Sequence, residues 1–272
     1  MRHPAHGDDV LFVTLDSARY DAFCEAATPN LKGLGKVHRA WSPSHFTFGA
    51  HAAFFVGFTP GDPTRREPYI NPKFGRIFRL DAAGAPGFAP PRFLLQGENI
   101  VAGFRAAGYR AFGTGAVRWF DPETPAGRVL TRPFHEFLYL PEPDVRAQCR
   151  WLMERVAGAR REGSKVFAFL NAGETHVPYW HPEADWDKSY NPAQAFGEAN
   201  DAAEARRRQV ACLEWVDRHI GELLRAFEGA NIVVCADHGD CWGEDGLWEH
   251  GISHRCTLEV PLIFSLSPGE EA

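Results

Sequence analysis

The sequence has few features of a secreted, disulfide-bonded or membrane-embedded protein. Its six cysteines are spread over 272 residues and no two form a CxxC pair, so they do not make a compact disulfide framework. No apolar run is long enough to span a bilayer, and the N-terminus MRHPAHGDD lacks the apolar core of a signal peptide. We therefore expect reduced thiols, a cytoplasmic location and no membrane partner.

Positive charge is also scarce. The formal net charge is −6, with 29 lysines and arginines against 35 aspartates and glutamates. The one basic run, Arg206 to Arg208, falls in a helical pattern and fits a solvated helix face. Because proteins bind phosphate backbones through basic patches, we expect no nucleic-acid partner. No pattern indicates an oligomeric state.

Internal repeats, low-complexity tracts and clean linkers are absent as well. The composition, with 44% hydrophobic and 24% charged residues, is that of an ordinary globular protein. A chain of this length can bury most of its surface without a disulfide or metal. We predict a single domain of residues 1–272, with irregular inserts at about 58–96 and 177–200.

What the sequence does contain is an alternation of short apolar strands and amphipathic helices. The predicted strands cover residues 10–15, 109–115, 165–171, 231–236 and 261–266. The predicted helices cover residues 50–57, 99–107, 145–156 and 204–227. This order predicts an α/β fold, a three-layer α/β/α sandwich with a mostly parallel central sheet.

Polar side chains follow three of these strands. Asp16 follows the first strand, a GETH segment ending at His176 follows the third, and Asp237 and His238 follow the fourth. The carboxyl ends of parallel strands meet at one rim of a sheet, so we expect these groups to converge. Carboxylates with imidazoles suit zinc or manganese. Taken singly, each residue also fits a turn, a helix cap or a hydrogen-bonded core histidine.

Three blocks of sequence carry a family resemblance. They are LDSARYDAF with TPNL downstream, SPSHFTFGAHAAFFVG, and ADHGDCWGEDGLWEHG, with THVPY between the second and third. Their order and spacing resemble the sulfatase-like branch of the alkaline phosphatase superfamily, and are most similar to its phosphoethanolamine-transferase-like members. The resemblance covers about residues 10–60 and 165–265.

The resemblance implies a divalent-metal site that activates a nucleophile. The implied metal ligands are Asp16, Thr47, Asp237, His238 and His250. The implied catalytic residues are Thr47 as nucleophile, His176 and His250. It implies one or two ions, zinc or manganese, and leaves open whether the two histidines join a second ion or contact the transferred group.

The sequence departs from the sulfatase pattern at the nucleophile. Sulfatases need a Cys or Ser in a C/S-x-P-S-R block, which is converted to formylglycine, and Thr47 cannot give that aldehyde. Gly49, Ala50 and His51 replace the Pro, Ser and Arg of that block, and Ser17 replaces a second acid after Asp16. These changes disfavour ordinary sulfatase chemistry and a calcium-type site.

We therefore expect a metal-dependent hydrolase that cleaves or transfers a phosphoryl or phosphonyl ester of a small molecule through Thr47. A sulfatase-like hydrolase of sulfate esters without formylglycine is one alternative. A catalytically degenerate metal-binding member is another, and Gly49 and Ala50 are its best support.

Several polar residues near these motifs keep open roles. Glu174 has no counterpart in the family pattern. Asp240 and Glu244 fit supporting or turn positions better than ligand positions. Arg19 could orient Asp16 or make a surface salt bridge, and His254 could support the site or lie on the surface.

Overall fold

A central β-sheet positions the polar groups that follow the strands. The computed structural model describes residues 6–57, 78–81, 92–95 and 99–267. The strands are β1 (Val10–Leu15), β2 (His38–Trp41), β3 (Phe78–Asp81), β4 (Arg92–Leu95), β5 (Arg110–Gly115), β6 (Glu136–Tyr139), β7 (Val166–Ala172), β8 (Asn231–Ala236), β9 (Cys241–Trp242), β10 (Trp248–Glu249) and β11 (Glu259–Ser265). The helices are α1 (Tyr20–Glu25), α2 (Pro29–Lys32), α3 (Thr47–Val56), α4 (Ile100–Ala106), α5 (Pro125–Thr131), α6 (Val145–Arg161), α7 (Ala202–Ala226) and α8 (Arg255–Leu258).

Seven of the strands form one sheet in the order β2-β11-β8-β1-β7-β5-β6. β11 runs opposite to the other six strands of this sheet. Leu15 at the end of β1 pairs with Ala172 of β7 and Ala236 of β8, so these three strands end level. The mostly parallel sheet is confirmed, and its register brings the segments after β1, β7 and β8 to one rim.

Helices cover both faces of the sheet, which makes the predicted three layers. One apolar core joins Leu11, Val13 and Leu15 of β1 to helices α1, α2, α6 and α7. The other joins Val10 and Phe12 of β1 to aromatic residues of α3, α4 and the opposite face of β7. Alternate residues of β1 therefore serve different cores, as the pleat of a strand requires.

Three of the longer helices begin at a capping side chain. Asp144, Asp201 and Asn99 accept hydrogen bonds from the first free N–H groups of α6, α7 and α4. The helix predicted over 204–227 forms over Ala202–Ala226, and the strand predicted over 261–266 forms over Glu259–Ser265. Among the described residues, no helix combines the length and the apolar character that a membrane crossing needs.

The two predicted inserts differ from each other in the structure. The prediction of an irregular segment at 58–96 is wrong for its described part, because β3 and β4 pair as an antiparallel hairpin. The rest of that insert lies outside the described residues. The insert at 177–200 is described throughout and contains neither helix nor strand, as expected.

Candidate active site

Four of the predicted site residues meet at the rim formed by the ends of β1 and β8. Asp16 follows β1, Asp237 and His238 follow β8, and Thr47 is the first residue of α3; all four are fully buried. The Thr47 hydroxyl lies 3.2 Å from His238 Nε2 and 3.4 Å from Asp16 Oδ1. His238 Nε2 is 3.6 Å from Asp237 Oδ2 and 3.9 Å from Asp16 Oδ1. The four side chains thus surround one small volume.

Backbone and amide donors fix the two carboxylates. Asp237 Oδ1 accepts hydrogen bonds from the N–H groups of Ser17 and His238 at 3.0 and 2.9 Å. Asp16 Oδ2 accepts from the Asn171 amide at 3.1 Å. Asp237 Oδ2 is buried without a hydrogen-bond partner. An unpartnered buried carboxylate oxygen is costly, so this atom faces a position suited to a cation.

The raised pKa values of Asp16 and Asp237 also indicate a position suited to a cation. Burial, aided by the charge of Asp237, raises the pKa of Asp16 to about 6. Burial raises the pKa of Asp237 to about 7. Two buried carboxylates at one point resist ionisation together unless a positive charge compensates them. Asp16, Asp237 and His238 form a group whose ligand atoms all lie within 4.8 Å of one another, and their chemistry fits a divalent ion.

His238 is held in the tautomer that a metal ligand needs. Its Nδ1 lies 3.0 Å from the carbonyl oxygen of Gly239, which can only accept, so Nδ1 carries the proton and Nε2 presents a lone pair. Burial, together with the charge of His250, lowers the pKa of His238 to about 4. The imidazole is therefore neutral at physiological pH and able to coordinate.

The start of α3 presents Thr47 to this volume. The helix begins at Thr47, and its first N–H groups have no partner within the helix, so they can face an anion. A Cβ on Gly49 would lie 2.4 Å from Ser44 Oγ and 2.8 Å from the ring of Phe46. The segment before α3 packs against the first helical turn, and a side chain at Gly49 would disturb that packing beside the nucleophile.

Asp240 holds His250 in place, which agrees with the supporting position that the sequence predicts for this carboxylate. The Asp240 carboxylate accepts from His250 Nδ1 at 2.7 Å and from the Tyr179 hydroxyl at 2.7 Å. The Tyr179 oxygen in turn accepts from Trp242 Nε1 at 2.8 Å. Burial acts to lower the pKa of His250, but the Asp240 carboxylate outweighs it and raises that pKa to about 9. His238, Asp240 and His250 form the second group in the described residues that could hold a metal ion.

His176 lies beside this pair, whereas Glu174 faces away. The ring centroids of His176 and His250 are 5.1 Å apart, and those of His238 and His250 are 4.5 Å apart. His176 Nδ1 donates to the carbonyl of Val177, which leaves Nε2 free as an acceptor. Glu174 is fully buried and accepts from the first N–H of α6, that of Val145, at 2.6 Å. Burial raises the pKa of Glu174 to about 7.

Two residues with open roles prove to be structural. Arg19 is buried and pairs with Asp21 and Glu244 at 2.8 and 2.7 Å rather than with Asp16. His254 caps α8 by accepting from the N–H of Cys256 and also contacts Asp245.

A model of the sulfatase family matches residues 94–272, more than half of the chain. The chain belongs to the sulfatase family. Among curated proteins, the choline-sulfatase of Rhizobium meliloti (strain 1021) is 32% identical over 74 residues, which cover 24% of this chain and 14% of the relative. The match spans far less than two thirds of that relative, so its substrate does not transfer to this sulfatase-family chain.

Solved structures share the fold of this family member at low sequence identity. The C-terminal periplasmic domain of phosphoethanolamine transferase EptC from Campylobacter jejuni gives a TM-score of 0.61 at 12% identity, covering 96% of this chain and 80% of that one. The zinc complex of the EptC periplasmic domain from Escherichia coli gives a TM-score of 0.61 at 13% identity, and the match covers 97% of this chain and 74% of that one. Phosphonate monoester hydrolase of Agrobacterium radiobacter gives a TM-score of 0.55 at 17% identity, and the match covers 95% of this chain and 68% of that one. Together these likenesses show that the chain shares its fold with these proteins.

Proposed function

We propose that this chain is a metal-dependent enzyme that cleaves or transfers a phosphoryl or phosphonyl ester of a small molecule through Thr47. The observation that carries the proposal is the Thr47 hydroxyl, 3.2 and 3.4 Å from His238 and Asp16, inside a buried group of two carboxylates and an imidazole. An alcohol in that position can act as a nucleophile. The family and its structural relatives make enzymes of ester chemistry the natural class.

The metal would be held by Asp16, Asp237, His238 and Thr47. A bound divalent ion supplies positive charge that lowers the pKa of a coordinated hydroxyl and neutralises charge on the transferred group. The donor set and the zinc complex of a structural relative support zinc, and manganese suits the same ligands. His238, Asp240 and His250 offer a place for a second ion.

The chain's own residues supply the rest of the reaction. Asp16 Oδ1 is the nearest carboxylate acceptor for the Thr47 hydroxyl proton. The Thr47 oxygen then bonds to phosphorus while the bond to the leaving oxygen breaks, and the N–H groups at the start of α3 face the developing charge. His250 Nε2, protonated at neutral pH, gives its proton to the leaving oxygen. Water or a second alcohol then gives its proton to His250 and bonds to phosphorus, the bond from phosphorus to the Thr47 oxygen breaks, and Asp16 returns the proton to the Thr47 hydroxyl.

A sulfate-ester hydrolase without formylglycine is the second candidate, and the family model together with the choline-sulfatase match favours it. Thr47 counts against this candidate. The usual sulfatase reaction of the family needs an oxidised Cys or Ser, so this enzyme would have to cleave sulfate esters with an unmodified hydroxyl instead. A metal-binding member without catalysis is a third candidate, and Gly49 was part of its support in the sequence. The close packing at Gly49 explains this glycine in another way, because a side chain there would clash with Ser44 and Phe46.

One experiment separates these functions. The chain is purified without chelator, its zinc and manganese are measured by elemental analysis, and it is assayed on p-nitrophenyl phosphate, a phosphodiester, a phosphonate ester and a sulfate ester. We expect about one metal equivalent and phosphoester or phosphonate cleavage. Thr47→Ala should keep most of the metal, because Asp16, Asp237 and His238 remain, and should lower kcat by at least about a thousandfold. Thr47→Ser, which keeps the hydroxyl, is the matched control and should retain measurable turnover.

Other outcomes would reject the proposal in distinct ways. Sulfate cleavage alone would favour the sulfatase reading. Tight metal binding with no turnover on any ester would favour a binding role. Protein that takes up no metal even when it is supplied would remove the basis of the site.

A further inference from the structure

A cavity of about 360 Å³ opens beside His176. Its walls come from the segment after β5, the segment before α6 and the loop after β7. The size suits a small organic group, because ligand pockets in proteins are a few hundred cubic ångströms. Since His176 lines the cavity and its ring packs edge-on against the ring of His250, the cavity lies next to the histidine that protonates the leaving oxygen in the proposed function.

Arg118 brings an uncompensated positive charge to this cavity. It lines the cavity and is exposed, and its guanidinium makes no hydrogen bond or ion pair with any residue that the structure describes. The next two residues anchor it: Trp119 packs on Phe48 at 5.5 Å between ring centroids, and Phe120 packs on the ring of His51 at 5.0 Å. Because both contacts reach α3, the backbone at Arg118 is held close to the helix that carries Thr47.

The other cation in the cavity wall is already paired. Lys188 Nζ lies 3.0 Å from Glu142 and 4.9 Å from the centre of the Trp180 ring. A positively charged substrate group would have to displace Lys188 to reach either the carboxylate or the aromatic face. Prolines and valines supply the remaining wall, which suits an uncharged organic body. Arg118 is thus the group left to recognise charge.

We propose that this cavity binds the leaving group of the substrate and that Arg118 selects esters whose leaving group carries its own oxyanion, such as a carboxylate. The inference rests on the proposed function, because it assigns the alcohol part of the ester that Thr47 attacks. Arg118 acts as a specificity determinant through a bidentate ion pair with a carboxylate, which an uncharged leaving group cannot make.

The test compares two esters that differ in one charge. kcat/KM is measured on 4-carboxyphenyl phosphate and on 4-carbamoylphenyl phosphate, which have similar shape. We expect the wild type to prefer the carboxylate ester by about tenfold or more, the size of a charge-assisted hydrogen bond. Arg118→Gln should remove most of that preference, with a much larger loss of kcat/KM on the carboxylate ester than on the carbamoyl ester. Arg150→Gln is the matched control, because Arg150 is exposed on α6 and makes no ion pair with the described residues.

Two results would overturn the proposal. Equal losses on both esters in Arg118→Gln would place Arg118 on the transferred group instead. An unchanged preference in that variant would remove Arg118 from recognition.

A binding measurement separates this proposal from the one on which it rests. The affinities of 4-hydroxybenzoate and 4-hydroxybenzamide, the two leaving groups, are measured by calorimetry on the metal-loaded Thr47→Ala protein with and without Arg118→Gln. A carboxylate preference that depends on Arg118 would support the cavity assignment even if neither phosphate ester were cleaved. Equal affinities for both phenols would reject it even in an active enzyme.

Discussion

His51 occupies the position at which the sulfatase pattern has an arginine, and its surroundings show what a histidine does there. Its Nδ1 donates to the carbonyl of Thr47 at 2.8 Å, and its Nε2 lies 2.9 Å from the Thr14 hydroxyl. That hydroxyl accepts from the Asn171 amide, which also donates to Asp16. The imidazole thus connects α3 to the carboxylate at the end of β1. A buried neutral network replaces the charged side chain of the pattern.

The burial of His51 predicts a dependence of stability on pH. Burial lowers the pKa of His51 to about 3, whereas an unfolded histidine titrates near 6.5. Between about pH 6.5 and pH 3, His51 is therefore protonated in the unfolded state and neutral in the folded state. His51 therefore contributes its full stability above that pH and loses it as the pH falls toward 3.

This contribution can be isolated with the substitution His51→Asn, which can keep the hydrogen bond to Thr47. In chelator-treated protein, we expect the free energy of unfolding of the wild type to fall faster than that of the variant between pH 6 and 4. The difference in slope should approach about 1.4 kcal/mol per pH unit, the value for one proton. Urea unfolding at a series of pH values measures it, and parallel curves for the two proteins would contradict a neutral buried His51.

At the scale of elements, the strands were predictable where an apolar run defines them. VLFVTL and NIVVCA form β1 and β8 with the predicted bounds, and the positions of Asp16 and Asp237 follow from those bounds. β2 and β6 were not predicted, because each has four residues and is only partly buried, so neither forms an apolar run.

The contacts of Asp240 could not be read from a pattern either. Asp240 and His250 lie ten residues apart and meet because β9 and β10 pair as a short hairpin between them. The conformation of such a hairpin depends on left-handed backbone positions, such as Gly243 at φ 98°, rather than on hydrophobic periodicity. The cavity beside His176 is built from three separate segments and left no signal in the sequence.

The GTG segment at the end of β5 gives a prediction at this scale. A Cβ on Gly115 would lie 2.6 Å from the ring of Phe120, whereas a Cβ on Gly103 in α4 meets none of the described atoms within 4 Å. Gly115→Ala should therefore destabilise the protein by about 1–3 kcal/mol through overpacking. Gly103→Ala, the control, should stabilise it by up to about 1 kcal/mol through helix propensity.

Urea unfolding of the two variants measures these changes. Because Phe120 follows Trp119 and Arg118, Gly115→Ala should also weaken the preference for a carboxylate leaving group. Adding Phe120→Leu to Gly115→Ala should recover part of the lost stability. A Gly115→Ala protein as stable as the wild type would show that the ring of Phe120 can move away without cost.

For the molecule as a whole, two buried carboxylates at the centre of the sheet carry a cost that a proton or a bound cation relieves. Asp16 and Asp237 lie side by side at the ends of two neighbouring central strands, both fully buried. The raised pKa of Asp237, about 7 against 3.8 for the ordinary side chain, means that the metal-free folded state binds a proton the unfolded state releases. The stability of the metal-free protein therefore contains a term that is lost as the pH rises from about 4 through 7.

Asp237→Asn should separate this cost from the benefit of the metal. The amide keeps an oxygen for the N–H groups of Ser17 and His238 but removes the charge. In chelator-treated protein, the free energy of unfolding of the variant should rise relative to the wild type between pH 5 and 7. Zinc at about a hundred times its Kd should stabilise the wild type by about 2.7 kcal/mol and the variant by much less.

Asp217→Asn provides the matched control for this comparison. Asp217 is also a buried aspartate, but it lies on α7 and accepts hydrogen bonds from Asn30 and Leu31, away from the site. Its loss should lower stability with and without zinc while leaving the zinc-dependent gain intact. Thermal unfolding with and without zinc, for the three proteins at pH 5 and 7, measures all of these terms. If Asp237→Asn kept the full zinc-dependent gain, Asp237 would not be a ligand, because removing its charge would have left metal binding unchanged.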